Sequence, residues 1–142
     1  MHEDIVREVE AAEARARPHV RETQLEPSPA LGDGNGALVH LKCENLQHTG
    51  SFKARGALSK VLSLSADEIA RGVVTASTGN HGAAVAFALR KIGATATVFV
   101  PEDASPTKVA AIERLGGRVR RHGTDSGETE SFARRHAIET GA

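Results

Sequence analysis

Two short segments hold residue types at spacings that could do chemistry. The first is Lys42-Cys43-Glu44-Asn45-Leu46-Gln47-His48-Thr49-Gly50-Ser51-Phe52-Lys53-Ala54-Arg55-Gly56-Ala57, a polar turn leading into a helix whose first turn holds Lys53. The unpaired amides of a helix start form its positive end, which disfavours a second positive charge there. A neutral amine is the form of lysine that attacks an aldehyde. The same position also suits a surface lysine that opens a helix with its stem along apolar surface. The second segment is Ala76-Ser77-Thr78-Gly79-Asn80-His81-Gly82, between an apolar strand and a helix. Gly79 permits a tight turn, and the amides that follow can receive an anion such as a carboxylate or phosphate. Ser77, Thr78 and Asn80 add hydroxyl and amide donors to the same loop. A plainer account is a capped turn with Thr78 or Asn80 as the N-cap. No Gly-Lys-Ser/Thr follows and no G-x-G-x-x-G stands elsewhere, which weakens a nucleotide-binding reading.

Other reactive side chains carry bland alternatives. His81 could carry a proton, but a histidine in such a loop more often only hydrogen-bonds its neighbours. Cys43 has no marked partner base and suits a small strand residue. Arg114, Arg118, Arg120 and Arg121 could grip an anion, or could simply solvate a helix end and an edge strand.

The elements that must position these residues alternate along the chain. Ile5, Val9, Ala12 and Ala16 fall at helical spacing ahead of Pro18 and predict an amphipathic first helix. Residues 21–36 read as an extended, turn-rich connector, and Leu38 to Cys43 as a strand. Lys53 to Leu64 predicts a helix, with Ser65 and Glu68 as a capping box for a short second one. Val73 to Ala76 and Thr95 to Val100 read as strands around a helix from Asn80 to Ile92, closed by Gly93. Ser105-Pro106 opens a helix whose buried stripe is Val109, Ile112 and Leu115. Arg118 to His122 suits an edge strand, and a last helix starts near Asp125. This order predicts an α/β fold, a parallel three-layer arrangement with helices on both faces of the sheet. The helix from Asn80 is apolar nearly all round and is expected to lie between the sheet and another layer.

Bulk properties exclude several roles. Eighteen Lys and Arg balance 18 Asp and Glu, and there is no Trp or Tyr and only four Phe. Neither a cationic field nor stacking platforms favour nucleic acid. A single cysteine offers no internal disulfide or cysteine metal cluster. The acidic start Met1-His2-Glu3-Asp4 does not resemble a secretory signal, and no apolar run approaches a membrane span. The expectation is a cytoplasmic protein with no membrane or metal partner.

Together the two segments carry a resemblance. KCENLQHTGSFKARGA, with STGNHG following from Ser77, resembles the cofactor-attachment region of fold-type II pyridoxal-phosphate enzymes of the threonine/serine dehydratase family, relatives of serine racemase and, more distantly, cysteine synthase. Glu-Asn-Leu-Gln with Thr-Gly-Ser-Phe-Lys is similar to the dehydratase branch, and the likeness continues from about Leu25 through Pro101-Glu102 and the Lys108 to Gly117 helix. It implies that Lys53 holds pyridoxal 5'-phosphate covalently and, once freed, removes a substrate α-proton. Phe52 would pack near the cofactor ring and Asn80 would hydrogen-bond its phenolic oxygen. Ser77, Thr78, Gly79, Asn80 and His81 would form the loop that holds the substrate carboxylate. The implied reaction is β-elimination of a hydroxy amino acid to a 2-oxo acid and ammonia. A hydroxyl at Thr78 leaves room for serine racemase or 3-hydroxyaspartate ammonia-lyase chemistry.

In such enzymes a glycine-rich phosphate cradle and a partner for the pyridine nitrogen lie further along, and no candidate for either follows Gly117. The resemblance thus implies a truncated enzyme, with residues 1–49 the N-terminal segment of an incomplete larger cofactor domain and residues 50–142 a smaller α/β domain. An inactive fragment or binding remnant is the alternative. Exposed remainder of the larger domain predicts self-association into homo-oligomers or poor solubility.

Overall fold

The computed structural model describes residues 2–34 and 36–142. It opens with helix α1 (His2–Ala16), strand β1 (Leu25–Pro27), the single turn α2 (Pro29–Gly32) and strand β2 (His40–Lys42). Helices α3 (Lys53–Val61) and α4 (Ala66–Arg71) follow, then β3 (Val73–Ala76), α5 (Asn80–Lys91), β4 (Ala96–Val100), α6 (Pro106–Arg114), β5 (Arg118–Arg121) and α7 (Ser126–Thr140). The segment expected to be a plain connector thus holds β1, paired antiparallel with β2 so that Glu26 stands opposite Leu41. Pairing across sequence distance is a tertiary event, which local turn chemistry does not announce.

The main sheet is parallel, in the order β3-β4-β5, with Val73 beside Ala96 and Val98 beside Val119. Strand side chains alternate between faces. Phe99 meets Phe132 and His136 of α7 on one face. Val98 and Ile112 meet Gly82 of α5 on the other. Helix α3 packs over α5, and α1 over α3. As expected, α5 is buried nearly all round, from Gly82 through Leu89, because it is enclosed between the sheet and α3. Strand β5 lies at the sheet edge with three exposed arginines, which discourage pairing with another chain.

Local caps match the sequence closely. Ser65 accepts from the Glu68 amide while Glu68 accepts from the Ser65 amide. Gly93 ends α5 at φ +73°, a conformation glycine adopts without cost. Helix α1 departs from expectation. Ile5 and Val9 are 54% and 61% exposed, and only the end of the stripe, at Ala16, is buried. The predicted apolar face exists, but among the described residues its Ile5, Val6 and Val9 stay exposed. Among the described residues, no helix is long and apolar enough to cross a membrane.

Candidate active site

Lys53 is the first residue of α3, and its side chain is exposed, with Nζ 5.0 Å from the Phe52 ring centroid. Phe52 is itself 61% exposed. No side chain caps α3, so its positive end is not offset locally. The backbone reaches Lys53 through a turn in which the Gly50 amide donates to the Gln47 carbonyl at 2.8 Å. Gly50 takes φ +70° there.

The loop from Ser77 to His81 joins β3 to α5. Its first amide, that of Ser77, still bonds the Phe99 carbonyl at 3.0 Å, so the turn begins from a fixed strand end. Ser77 Oγ accepts from the Gly79 amide at 3.2 Å. Gly79 is the N-cap of α5 and supplies no side-chain cap. Neither Thr78 nor Asn80 fills that role, contrary to the plainer sequence reading, and the helix start keeps its capacity for an anion. Gly82 is sterically required: a Cβ there would stand 3.0 Å from Val98 Cγ1 and 3.1 Å from the Ser77 carbonyl oxygen. That close approach seats the loop on the sheet.

Phe52, Lys53 and His81 line one cleft of about 570 Å³, together with Leu64, Arg71, residues of β3 and Ala137. Gly79 and Asn80 line a separate hollow of about 370 Å³ with His48, Thr49 and Gly50. The structure therefore puts Lys53 and His81 in one lining and Gly79 and Asn80 in another; Ser77 and Thr78 line neither space. Loss of part of its water shell, and then the Lys53 ammonium, push His81 below the ordinary imidazole value although its ring still reaches solvent. A neutral imidazole beside an amine is able to accept or pass on a proton. His48 is likewise lowered, first by burial against Phe87 and then by Arg21 and Lys91.

A set of polar residues behind Lys53 escaped the sequence reading. Arg55 donates to both carboxylate oxygens of Glu44, at 2.9 and 2.7 Å. The buried Thr23 hydroxyl donates to the same carboxylate at 2.6 Å. The buried Gln47 side chain accepts from the Arg21 amide and donates to the Arg21 carbonyl. Two polar side chains three residues apart in Glu-Asn-Leu-Gln were the available signal, but their partners lie far off in sequence.

Hydrogen bonding from Arg55, foremost, holds Glu44 down from 4.5 to about 2. A carboxylate depressed in the fold stabilises it above its unfolded value, and that contribution disappears as pH falls from about 4.5 towards 2. Because the Arg55 side chain is 37% exposed, screening leaves roughly 1–2 kcal/mol. Urea unfolding of the chain and of Glu44→Gln should therefore differ at pH 6 and converge near pH 2; a constant gap would contradict the assignment.

A cofactor fit rests on the donor set. Lys53 is accessible, the α5 start is uncapped, and the buried Ser51 hydroxyl, two residues before Lys53, has no hydrogen-bond partner. These are the features expected of a chain that meets a polar ligand with an electrophilic carbon.

Residues 16–142 match the family model described as pyridoxal-phosphate dependent enzyme. The chain belongs to that family. Its L-threonine ammonia-lyase relative from Geobacter sulfurreducens is 40% identical over 134 residues, which are 94% of this chain and 33% of the relative. The L-threo-3-hydroxyaspartate ammonia-lyase of Saccharomyces cerevisiae is 36% identical over 130 residues, 92% of this chain and 40% of that protein. The structure of maize serine racemase superposes with a TM-score of 0.85 at 33% identity, covering 96% of this chain and 42% of the racemase. The chain thus spans between a third and about two fifths of the length of these relatives. Family membership agrees with the resemblance carried by the Lys53 and Ser77–Gly82 segments, and the α/β fold with its parallel sheet is that of the racemase.

Proposed function

We propose that this chain is the lysine-bearing part of a pyridoxal-phosphate-dependent ammonia-lyase that acts on a small hydroxy amino acid. The observation that carries the reading is that Lys53 and His81 line one cleft, beside a helix start with no side-chain cap. When bound, pyridoxal phosphate supplies an electron sink for a substrate α-carbanion. Lys53 Nζ would hold the cofactor and, as a free amine, would accept the substrate α-proton. Phe52 offers an exposed ring beside Lys53 for packing, and Asn80 an amide for the ring's phenolic oxygen. Backbone amides at the start of α5, with Gly79, Asn80 and His81, would bind the substrate carboxylate near the lysine, and Ser77 and Thr78, which line neither space, would shape the loop that presents them. The net conversion would be of the hydroxy amino acid to a 2-oxo acid and ammonia, the water lost from the β-carbon being regained on hydrolysis.

Exposed leucines support assigning residues 1–49 to a larger cofactor domain and residues 50–142 to a smaller one. Leu25, Leu31, Leu38, Leu41 and Leu46 are all between 47% and 92% exposed, more apolar surface than a free-standing segment ordinarily shows.

A second reading, racemase or hydroxyaspartate ammonia-lyase chemistry, is favoured by Thr78, whose hydroxyl stands in the carboxylate loop without capping α5. Keto-acid release from L-threonine, L-serine and 3-hydroxyaspartate, measured beside serine racemisation, tests both. If Thr78 selects among them, Thr78→Ala changes the ratio of racemisation to elimination by about tenfold, of the order of one lost hydrogen bond. Unchanged ratios would remove Thr78 from the account. Lys53 modification without any keto acid would favour a binding remnant.

A further inference from the structure

We infer that Glu44 is a positioning residue for Lys53, acting through Arg55. The inference deepens the reading above and rests on Lys53 being the reactive amine. Lys53 and Arg55 both lie in the first turn of α3, where two cations face the positive end of the helix and no side-chain cap secures it. Glu44 supplies what that turn lacks. Its carboxylate takes both guanidinium donors of Arg55 in a planar fork, which fixes direction as well as distance.

The carboxylate is held from behind. Thr23, only 6% exposed, donates to Glu44 Oε1, and Gln47, 3% exposed, clasps the Arg21 backbone from the other end of the same short turn. Lys42 reaches the Thr23 carbonyl as well. The first turn of α3 is thus tied to the segment at Arg21–Thr23, and Lys53 stands on a turn anchored two residues further on. Arg55 is also spent on Glu44, which leaves Lys53 as the uncompensated cation of that turn and keeps a second cation from competing for an anionic ligand. Surface ion pairs seldom organise anything. This pair differs because the Glu44 side chain is only 13% exposed and shares its charge with a buried hydroxyl.

The test is site-resolved labelling with limiting pyridoxal phosphate and borohydride, read by peptide mass mapping. The ratio of modified Lys53 to modified Lys60, in the same helix, is compared between the chain and its variants. Ser65→Ala, which weakens the α4 cap, provides a variant of comparable stability cost away from the site. Glu44→Gln is expected to lower the Lys53 to Lys60 ratio about tenfold, the size of effect a small misplacement produces. Arg55→Lys, which keeps the charge and loses the fork, should lower it about threefold. Ser65→Ala should leave it unchanged. Should Glu44→Gln fail to fold, Arg55→Lys decides alone.

A wild-type ratio well above one with no fall in either variant overturns the positioning role while leaving Lys53 as the reactive amine. A wild-type ratio near one overturns both. An equal fall in Ser65→Ala would show general loosening and likewise overturn positioning.

Discussion

Lys53→Ala is expected to abolish the visible absorbance that the chain acquires with pyridoxal phosphate, and to leave the fold unchanged. The two halves of that expectation have separate causes. Lys53 is exposed, and its one ring contact is Phe52, itself exposed, so truncation removes little packing. Alanine is also the best residue in a helix, which keeps α3 intact. The chemistry responds differently. The other four lysines are Lys42, Lys60, Lys91 and Lys108; Lys60 lines the same cleft, but none of the four opens a helix in the cleft that His81 lines. Lys108 borders the separate hollow of Gly79 and Asn80, but not the cleft that His81 lines. Loss of binding of at least a hundredfold is expected, since a positioned amine is worth several powers of ten in effective concentration. Titration of the absorbance with pyridoxal phosphate for the chain, Lys53→Ala and Lys60→Ala checks this. Equal curves for the first two would refute it.

The largest expected loss of stability comes from Leu58→Ala. Leu58 is fully buried in α3 within the core cluster that α5 shares. Removing its branched end leaves a void in a cluster rich in alanine, among them Ala57, Ala83, Ala84, Ala86 and Ala88. Alanine side chains cannot reach in to fill it. Such truncations cost about 2–5 kcal/mol. For a domain of this size that corresponds to a fall in melting temperature of roughly 6–15 °C. Differential scanning fluorimetry against Leu41→Ala, whose side chain is 47% exposed, provides the comparison. A shift of only a degree or two would mean that α3 is not packed on α5 as described. Because α3 carries Lys53 at its start, the same variant should weaken cofactor labelling at Lys53 beyond what its stability loss explains.

Much of the sheet and of the helices beside the site was legible because local signals agreed with the fold. Val73–Ala76 and the Ser65–Glu68 capping box match the sequence reading residue for residue, since a short β-branched run and a reciprocal cap are decided within a few residues. Gly79 as N-cap was less legible. The sequence offers Thr78 and Asn80 as better caps, and only packing of Gly82 against Val98 and the Ser77 carbonyl sets where the helix begins. The predicted Lys53 helix ends at Val61 rather than Leu64, with Leu62 as its C-cap before the chain turns into the α4 cap. The antiparallel pair β1–β2 and the Glu44–Arg55–Thr23 group were not legible, as each joins residues more than ten positions apart. The exposed half of the α1 stripe belongs with them. Periodicity shows that a face is apolar, and only the rest of the fold shows whether that face is covered.

The central claim is that Lys53 is the amine that takes the cofactor. Borohydride reduction of the chain equilibrated with pyridoxal phosphate, followed by peptide mapping, tests it most directly. The account predicts a phosphopyridoxyl group on the peptide holding Lys53 at a stoichiometry near one, with the peptides of Lys42, Lys60, Lys91 and Lys108 largely unmodified. Label spread evenly over the five lysines, or concentrated on any of the other four, would contradict it.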